Sequence, residues 1–447
     1  MIKLTLIPWE VCGGPKADHV KTAENRGMNM VDIVILGAGT AGTLIANKLA
    51  KRPESSEWNI TVIDRNNEHV YQPGLLFIPF GMVPAKRVVK SRRKFLPKKA
   101  NFIESEIELI DKDNHTVKLA NGQEIHWDQL IITTGTHPEP ELVPGMKDGK
   151  EWYKSVFDYY TYEGSTRLKS ALEGLKKGRL VVQITEMPIK CPVAPLEFAL
   201  LAQDYMRKHG RNWDVDVIFV TPLDGAFTKP TASRLLGDLL SKRGIEVVPD
   251  FQIEEVDNDT KEIVSYDGRR VPFDLLVTIP PNRGDAVLVK SGLGDDSGFV
   301  PINKHTLQSE ADPDIWAVGD ASNAPTSKAG SVAHFMVESF LPNFLEHLKG
   351  EPLTHSFDGH ANCFIESGRG EALLLDFNYD YEPVTGLFPE PHVGPLTLLK
   401  PSKVNHLSKM AFEPIYWYML IQGLPLPFPA DMPLAGKNFP ENVAKGH

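Results

Sequence analysis

Apolar runs, glycine-rich turns and amphipathic segments alternate along the first part of the chain. An apolar run at 33–36 leads into a glycine-rich turn at 37–42, an alanine- and leucine-rich segment extends to about Lys51, and a second apolar run covers 58–64. Buried parallel strands read as short apolar runs, and a helical segment between two of them gives a βαβ unit. The pattern therefore predicts strand, glycine turn, helix and strand in that order.

A second block, at about 145–300, repeats this plan. It predicts a strand near 180, a helix over 194–208, strands over 215–220 and 275–279, and hairpin-like pieces over 246–273. Beyond about 352 the residues 357–400 read as short strands broken by Gly and Pro, and 407–420 reads as an amphipathic or fully apolar helix. We expect an α/β protein with tandem Rossmann-like units and a small β-rich and helical C-terminal region.

The expected organisation has four parts. Residues 1–30 form a leader that we expect to be disordered, with Met28 or Met30 as alternative true starts. A first Rossmann-like domain covers 31–144 and 301–350, a second is inserted at 145–300, and 351–447 form a C-terminal interface domain. A length of 447 residues suits two or three such domains.

Composition excludes some functions. A net charge of -10 argues against nucleic-acid binding, which uses a basic surface. The chain has no apolar run of the roughly 18 residues that cross a bilayer. Its three cysteines are too few for a disulfide scaffold, so any pairing would be a working redox bond. No metal site is predicted.

The first glycine turn has the complete signature of a dinucleotide site. Gly37 makes the turn, Gly39 lets the backbone approach a pyrophosphate, and Gly42 lets helix and sheet pack closely. The helix N-terminus then faces the phosphates, and Asp64 at the end of the second strand can bind the ribose. The later segments 130–135 and 315–321 are further strand-and-turn pieces typical of an FAD domain, although Asp320 by itself could be a helix N-cap.

The second block lacks this signature. Between Arg179 and His209 there is no glycine, and the strand ending at Val220 is followed by Thr221 and Pro222 without an acid. NAD(P)H binding is therefore disfavoured there. Cys191 stands where the glycines would be.

Cys191 and Cys363 are the candidate redox thiols. Cys191 is predicted at the start of the second unit's helix, where the helix dipole and neighbouring Lys190 would lower its pKa. Cys363 lies 172 residues later, and Cys12 falls in the leader. The alternative is a pair of buried, inert thiols.

The chain from about 31 to 428 resembles the sulfide:quinone oxidoreductase family, and more distantly flavocytochrome c sulfide dehydrogenase and type II NADH dehydrogenase. The resemblance rests on the glycine turn, Asp64, the segments 191–197, 319–320, 327–330 and 363–365, and the aromatic final helix after 404–407. It implies non-covalent FAD. The candidate cofactor-binding residues are Gly37, Gly39, Thr40, Ala41, Gly42, Asp64, Arg65, Thr134, Gly135, Gly319, Asp320, Lys328 and Gly330.

The resemblance also implies a reaction. Sulfide or polysulfide would reduce a Cys191–Cys363 disulfide to a persulfide and a thiolate, and electrons would pass through FAD to a membrane quinone, with release of sulfur or polysulfide. Glu197 is a candidate proton acceptor, the alternative being an exposed helix carboxylate. The chain departs from the family at 151–158, where the commonest members have a third cysteine and this sequence has none. Covalent attachment of FAD at that position is thereby excluded.

A quinone acceptor implies contact with a bilayer. We expect a peripheral protein on the cell membrane whose helix 407–420 lies in the interface, with Tyr416, Trp417 and Tyr418 at headgroup depth. The basic run 86–99 is a candidate to meet anionic lipid. The alternatives are a solvated face for this run and a dimer-packing role for the helix. Phe364 and Tyr416 are, by resemblance, the candidates to hold the quinone ring, and a homo-oligomer is expected. The alternatives are a two-cysteine sulfide dehydrogenase that uses a cytochrome or other carrier, and a flavin-bearing binding protein without turnover.

Overall fold

The structure is a computed structural model that describes residues 30–210, 213–391, 393–426 and 429–439. Residues 1–29, which hold nearly all of the expected leader and Cys12, lie outside the described residues. The first sheet has five parallel strands, and its central strand Val31–Leu36 is buried from Ile33 onward. Across the sheet the order is Ile315–Ala317, Gln129–Ile132, Val31–Leu36, Trp58–Asp64 and Asn101–Glu104.

A second parallel sheet repeats this architecture. Its order is Val156–Phe157, Leu275–Ile279, Lys177–Ile184, Asp214–Val220 and Glu246–Val248. The expected hairpin region therefore divides: Glu246–Val248 joins the parallel sheet, and the rest forms an antiparallel sheet of Ile253–Asp257, Glu262–Ser265 and Arg270–Pro272.

The helices of the described residues include the three that the sequence predicts, and the last of these begins at Lys403 and not at Leu407. The helix predicted over 194–208 is Ala194–Lys208, which we call the cysteine helix. The α-helices are Thr40–Ala50, Ala85–Val88, Tyr162–Gly174, Ala194–Lys208, Pro230–Lys242, Ala286–Lys290, Gly330–Leu348 and Lys403–Ile415. Short strand pairs and ribbons complete the fold: Glu68–Val70 with Val89–Ser91, His137–Pro138 with Asn282–Arg283, and Ile107–Asp111, Thr116–Leu119 and Glu124–His126.

The C-terminal region is a four-stranded sheet covered by a helix. The sheet order is Ala361–Gly368, Glu371–Phe377, Gly394–Leu398 and Gly386–Glu390. The C-terminal helix Lys403–Ile415 packs on the strand Glu371–Phe377 and continues into a π-helical turn, Tyr416–Leu420.

The expectation that three aromatic residues of this segment lie at headgroup depth is wrong for two of them. Tyr416 and Trp417 are fully buried in the main hydrophobic core, and only Tyr418 is exposed. The π-helical turn directs two adjacent large rings inward, which a regular amphipathic pattern does not foresee. None of the helices in the described part of the chain combines the length and apolar character that a membrane crossing requires.

Candidate active site

In the glycine turn after the first strand, a side chain would meet different surroundings at each of the three glycines. Gly37 has φ +96°, and a Cβ there would lie 2.5 Å from the carbonyl oxygen of Thr133. A Cβ on Gly42 would lie 2.0 Å from the carbonyl oxygen of Gly37, whereas one on Gly39 meets no protein atom within 4 Å. Gly37 and Gly42 are thus needed by the fold, while Gly39 borders free space at the helix N-terminus.

The free space fits the FAD that the sequence predicts. Added Cβ atoms at Gly135 and Gly330 also meet nothing within 4 Å, and the buried hydroxyl of Thr134 has no hydrogen-bond partner among the described residues. A buried polar atom without a partner is costly unless a ligand or water satisfies it. Backbone amides at a helix N-terminus suit a pyrophosphate. The residues present therefore fit a dinucleotide.

Asp64 lies at the end of the second strand, as predicted, and it also holds the turn together. Its Oδ2 accepts hydrogen bonds from the backbone N–H of Ala38 at 2.7 Å and from Arg92 at 2.8 Å. Arg92 belongs to the basic run 86–99, so part of that run is engaged within the protein. Arg65 is half exposed and contacts Asp285 at 3.5 Å.

The segment 319–330 joins the cofactor region to the thiols. The buried Nζ of Lys328 donates to the carbonyl oxygens of Asp320 at 2.8 Å and Ser322 at 2.9 Å. Burial lowers the pKa of Lys328 to about 8, and burial raises the pKa of Asp320. The carbonyl oxygen of Lys328 accepts a hydrogen bond from the backbone N–H of Cys191 at 2.6 Å. This bond fixes the loop that contains Cys191 to the segment 319–330.

Cys191 is partly exposed and has a left-handed backbone, with φ +45°. The expectation that its pKa is lowered is wrong for the thiol in this structure. The helix begins at Ala194, three residues later, and burial raises the thiol's pKa, assisted by the charges of Glu197 and Cys363. Lys190 directs its Nζ to Gln72 at 3.4 Å.

Cys363 lies on the strand Ala361–Gly368 and is buried. This strand packs against the cysteine helix, and the charge of Cys363 raises the pKa of Cys191, so the fold brings the two distant cysteines into one region. Burial and the charge of Glu197 raise the pKa of Cys363 to about 12, and Ser331 at the start of the helix Gly330–Leu348 partly offsets this rise. The Ser331 hydroxyl donates to the carbonyl oxygen of Asn362 at 2.7 Å. No disulfide joins the two cysteines in this structure.

Glu197 lies beside the thiols and is 1% exposed, so the alternative of an exposed helix carboxylate is wrong. Its Oε1 accepts the backbone N–H of Glu366 at 2.7 Å and forms an ion pair with Lys409. Burial raises the pKa of Glu197 to about 7, partly offset by Lys409. A carboxyl that titrates near neutral pH is suited to accept and release protons.

Sequence reasoning missed the residues that surround Glu197. Lys409 comes from the C-terminal helix, and its Nζ also donates to the carbonyl oxygen of Phe364 at 3.1 Å. Glu366 is buried and pairs with His406 at 2.9 Å. The one available signal was a lysine between apolar positions of that helix, and nothing in the sequence relates it to the cysteine helix.

Two tyrosines follow the stretch in which the commonest relatives have a third cysteine. The hydroxyl of Tyr160 donates to the carbonyl oxygen of Cys191 at 3.2 Å. Tyr159 is buried and stacks on Phe198 of the cysteine helix with ring centroids 4.8 Å apart. Aromatic packing against the cysteine helix therefore forms this wall of the site.

The two candidate quinone residues lie in different clusters. Phe364 packs at the edge of the small C-terminal sheet cluster, and Tyr416 belongs to the main core. The Tyr416 hydroxyl shares hydrogen bonds with Thr40 at 2.8 Å and with His69 at 2.7 Å. Tyr416 thus contacts the helix N-terminus of the glycine turn.

The glycine turn, the repeated parallel sheet and the neighbouring thiols define a two-unit FAD-dependent oxidoreductase. The chain matches the family described as pyridine nucleotide-disulphide oxidoreductase over residues 31–182 and 193–335. It belongs to this family.

The names of individual relatives refer to two different activities. The chain is 27% identical over 403 residues to a protein named sulfide:quinone oxidoreductase, mitochondrial, from Dictyostelium discoideum, covering 88% of this chain and 87% of that one. It is 32% identical over 376 residues to a type II NADH:quinone oxidoreductase of Staphylococcus aureus, covering 79% and 91%. The crystal structure of sulfide:quinone oxidoreductase from Aquifex aeolicus has a TM-score of 0.74 and 20% identity, covering 88% of this chain and 92% of that one, which shows the shared fold.

Proposed function

We propose that this protein is a sulfide:quinone oxidoreductase that works through Cys191, Cys363 and FAD. The observation that carries the proposal is the meeting of two distant thiols beside a buried carboxyl of Glu197 whose pKa is about 7. Similarity to proteins named sulfide:quinone oxidoreductase, over 88% of the chain in the Dictyostelium relative, supports the same assignment.

The proposed chemistry starts from the oxidised pair. Hydrosulfide attacks one sulfur of the Cys191–Cys363 disulfide, a new S–S bond forms, the old one breaks, and a persulfide and a thiolate result. Glu197 accepts the persulfide proton, and Tyr160 holds the Cys191 loop through its carbonyl oxygen. Bound FAD supplies two-electron redox chemistry between the thiols and the quinone.

The cofactor residues are assigned by position in the fold. We propose that the backbone of Gly37–Gly42 and the helix N-terminus hold the pyrophosphate, and that Asp64 and Arg65 face the adenosine half. We assign Thr134, Gly135, Gly319, Asp320, Lys328 and Gly330 to the flavin half, with the open space at Gly135 and Gly330 as support. The boundaries 31–144 with 301–350, 145–300 and 351–447 remain the proposed domain division.

We place the quinone and the bilayer on the C-terminal side. The exposed side chains Leu407 and Tyr418 lie on this segment, and Lys90 of the basic run lies 5.2 Å from the Tyr418 ring. An apolar and aromatic surface beside cations suits an anionic membrane surface. Phe364, next to Cys363, remains the candidate nearest to the thiols for the quinone. We also propose a peripheral location and a homo-oligomer.

The test is anaerobic titration of the FAD-loaded protein with sulfide, followed at the flavin absorption bands. We expect bleaching by sulfide and recovery on addition of a short-chain quinone. Replacing Cys191 or Cys363 by Ser should slow bleaching at least about 100-fold, since a positioned reacting atom is lost. Cys12→Ser serves as the matched control, and equal bleaching in all three variants would exclude the mechanism.

The same titration separates the other candidates. NADH is tested as a second reductant, because one relative is named type II NADH:quinone oxidoreductase. The second unit's loop at 185–193 has no glycine, and its Cys191 is fixed to Lys328, which argues against a pyrophosphate at that position. Rapid bleaching by NADH would favour this second function. Recovery with a cytochrome but not with quinone would indicate the sulfide dehydrogenase alternative, and bound FAD without any response would indicate a binding protein.

A further inference from the structure

The C-terminal helix contributes a buried cation to the thiol site. The ammonium of Lys409 pairs with Glu197 of the cysteine helix and donates to the carbonyl oxygen of Phe364, the residue after Cys363. Its side chain is 11% exposed and that of Glu197 is 2% exposed. A buried ion pair is costly to assemble and strongly destabilising when broken, so a pair that acts electrostatically on both Cys191 and Cys363 calls for a reason beyond stability.

We propose that Lys409 is a positioning residue for the sulfur anions: paired with Glu197 at rest, it neutralises the thiolate when Glu197 takes up a proton. The inference rests on the proposed sulfide chemistry. It adds a residue from a helix that follows the small C-terminal sheet, far from both cysteines in the sequence.

The charge balance explains why a cation is needed. Hydrosulfide brings one negative charge, and after S–S exchange this charge is on the leaving thiolate. The persulfide S–H then gives its proton to the Glu197 carboxylate, which leaves a persulfide anion, a thiolate and a neutral carboxyl. No other reactant is required. The positive charge of Lys409, released from Glu197, is then available to the two anions.

The surrounding charges act in opposite directions on the thiols. Glu197 raises the pKa of both Cys191 and Cys363, and Lys409 lowers both. Burial alone would lower the pKa of Lys409, but Glu197 and Glu366 outweigh burial and raise it, so the ammonium stays charged. The other titratable groups that face this cluster are Glu366, His406, Tyr159, Tyr160 and Asp376.

The test measures thiol ionisation without sulfide turnover. FAD-loaded protein is reduced with a phosphine under anaerobic conditions, and the alkylation rate of Cys191 by iodoacetamide is followed from pH 6 to 10 by peptide mass analysis. Lys409→Met should slow alkylation at a given pH at least about tenfold, one unit of pKa, and Lys409→Arg should restore most of it. Glu197→Gln should instead accelerate alkylation. The exposed Lys403 of the same helix provides the control variant Lys403→Met.

Opposite signs for the Lys409 and Glu197 variants support the proposal, because a purely structural role would move both in the same direction. Equal rates for Lys409→Met and wild type, within twofold, would overturn it. If Lys409→Met does not fold, Glu197→Gln is compared with the charge-matched double variant Glu197→Gln/Lys409→Met. The double variant should react about tenfold more slowly, and equal rates would again overturn the proposal. Failure of sulfide to bleach the flavin would leave these rates unaffected, so the two proposals fail separately.

Discussion

Residues of the same type within one motif of this protein are needed for different reasons. Of the three glycines in the first turn, Gly37 and Gly42 avoid clashes with backbone oxygens, and Gly39 borders space that contains no protein atom. The fold therefore requires the first two, and we propose that the third is required by the ligand. The same distinction applies at the thiol site, where we propose that Cys191 and Cys363 react and that Glu197 accepts the proton.

Substitutions at Gly39 and Gly42 should separate these requirements. Gly42→Ala should lower the free energy of unfolding by about 1–3 kcal/mol or more, because its methyl group meets a backbone oxygen at 2.0 Å. Gly39→Ala should fold with a change within about 1 kcal/mol and lose FAD affinity, since the methyl group occupies the space for the pyrophosphate. Denaturant unfolding of the apoprotein and FAD titration check the pair; equal loss of stability would contradict the assignment.

Glu197 should set the pH dependence of flavin reduction by sulfide. Its folded pKa is about 7, and it accepts a proton only when ionised, so the rate should rise with pH through about 7 and level off above 8. Glu197→Gln should lower the plateau about 100-fold and remove this inflection. Stopped-flow measurements from pH 5.5 to 9, at constant hydrosulfide concentration, test the expectation. An unchanged inflection in the variant would assign it to another group.

At the scale of elements, the C-terminal helix and the turn that follows it divide their side chains between two environments. Trp417 is fully buried and Tyr418 is 64% exposed, although they are adjacent. Lys409 pairs with the buried Glu197, and Leu407 is exposed to solvent. The segment thus connects the reactive centre with the surface that we assign to the membrane.

Exposed aromatic residues on this segment should contribute to membrane binding and those elsewhere should not. Tyr418→Ser should weaken co-sedimentation with vesicles containing anionic lipid several-fold, whereas Tyr266→Ser, at a 73% exposed position of the second unit, should have no effect. Binding should also fall with salt because Lys90 is close by. Equal effects of the two substitutions would exclude this surface as the membrane contact.

At the scale of the whole molecule, segments distant in sequence meet at buried charges. Asp376 of the small sheet is fully buried, hydrogen-bonded to His360 at 2.7 Å and paired with Lys437 of the final segment at 2.5 Å. His360 precedes Cys363 by three residues and stacks on Phe335 of the long helix Gly330–Leu348. The final segment is therefore held to the same sheet that presents Cys363.

Removing this last contact should destabilise the fold. Lys437→Ala leaves the Asp376 carboxylate buried without its cation, which should reduce the free energy of unfolding by about 3–5 kcal/mol. Lys400→Ala, at an exposed position before the C-terminal helix, should change it by less than about 0.5 kcal/mol. Chemical denaturation of both variants gives the comparison. An unchanged free energy of unfolding in Lys437→Ala would mean that the Asp376 carboxyl is already protonated.

Local sequence patterns were enough to predict the secondary-structure elements and the dinucleotide motif. The strand at 58–64 and the helix at 194–208 were predicted at their observed bounds, because apolar periodicity and glycine positions are local properties of the chain. The dinucleotide site followed in the same way from Gly37–Gly42 and Asp64, and the segments 130–135 and 315–321 together with the family resemblance indicated FAD.

The surroundings of the two thiols follow from long-range packing and could not be predicted from local patterns. Burial reversed the expected shift of the Cys191 pKa, and Lys409 reached Glu197 from 212 residues away. The tertiary packing also buries Tyr416 and Trp417 in the core. Desolvation and charge contacts depend on which distant segments pack together, and no local pattern in a single sequence specifies that packing.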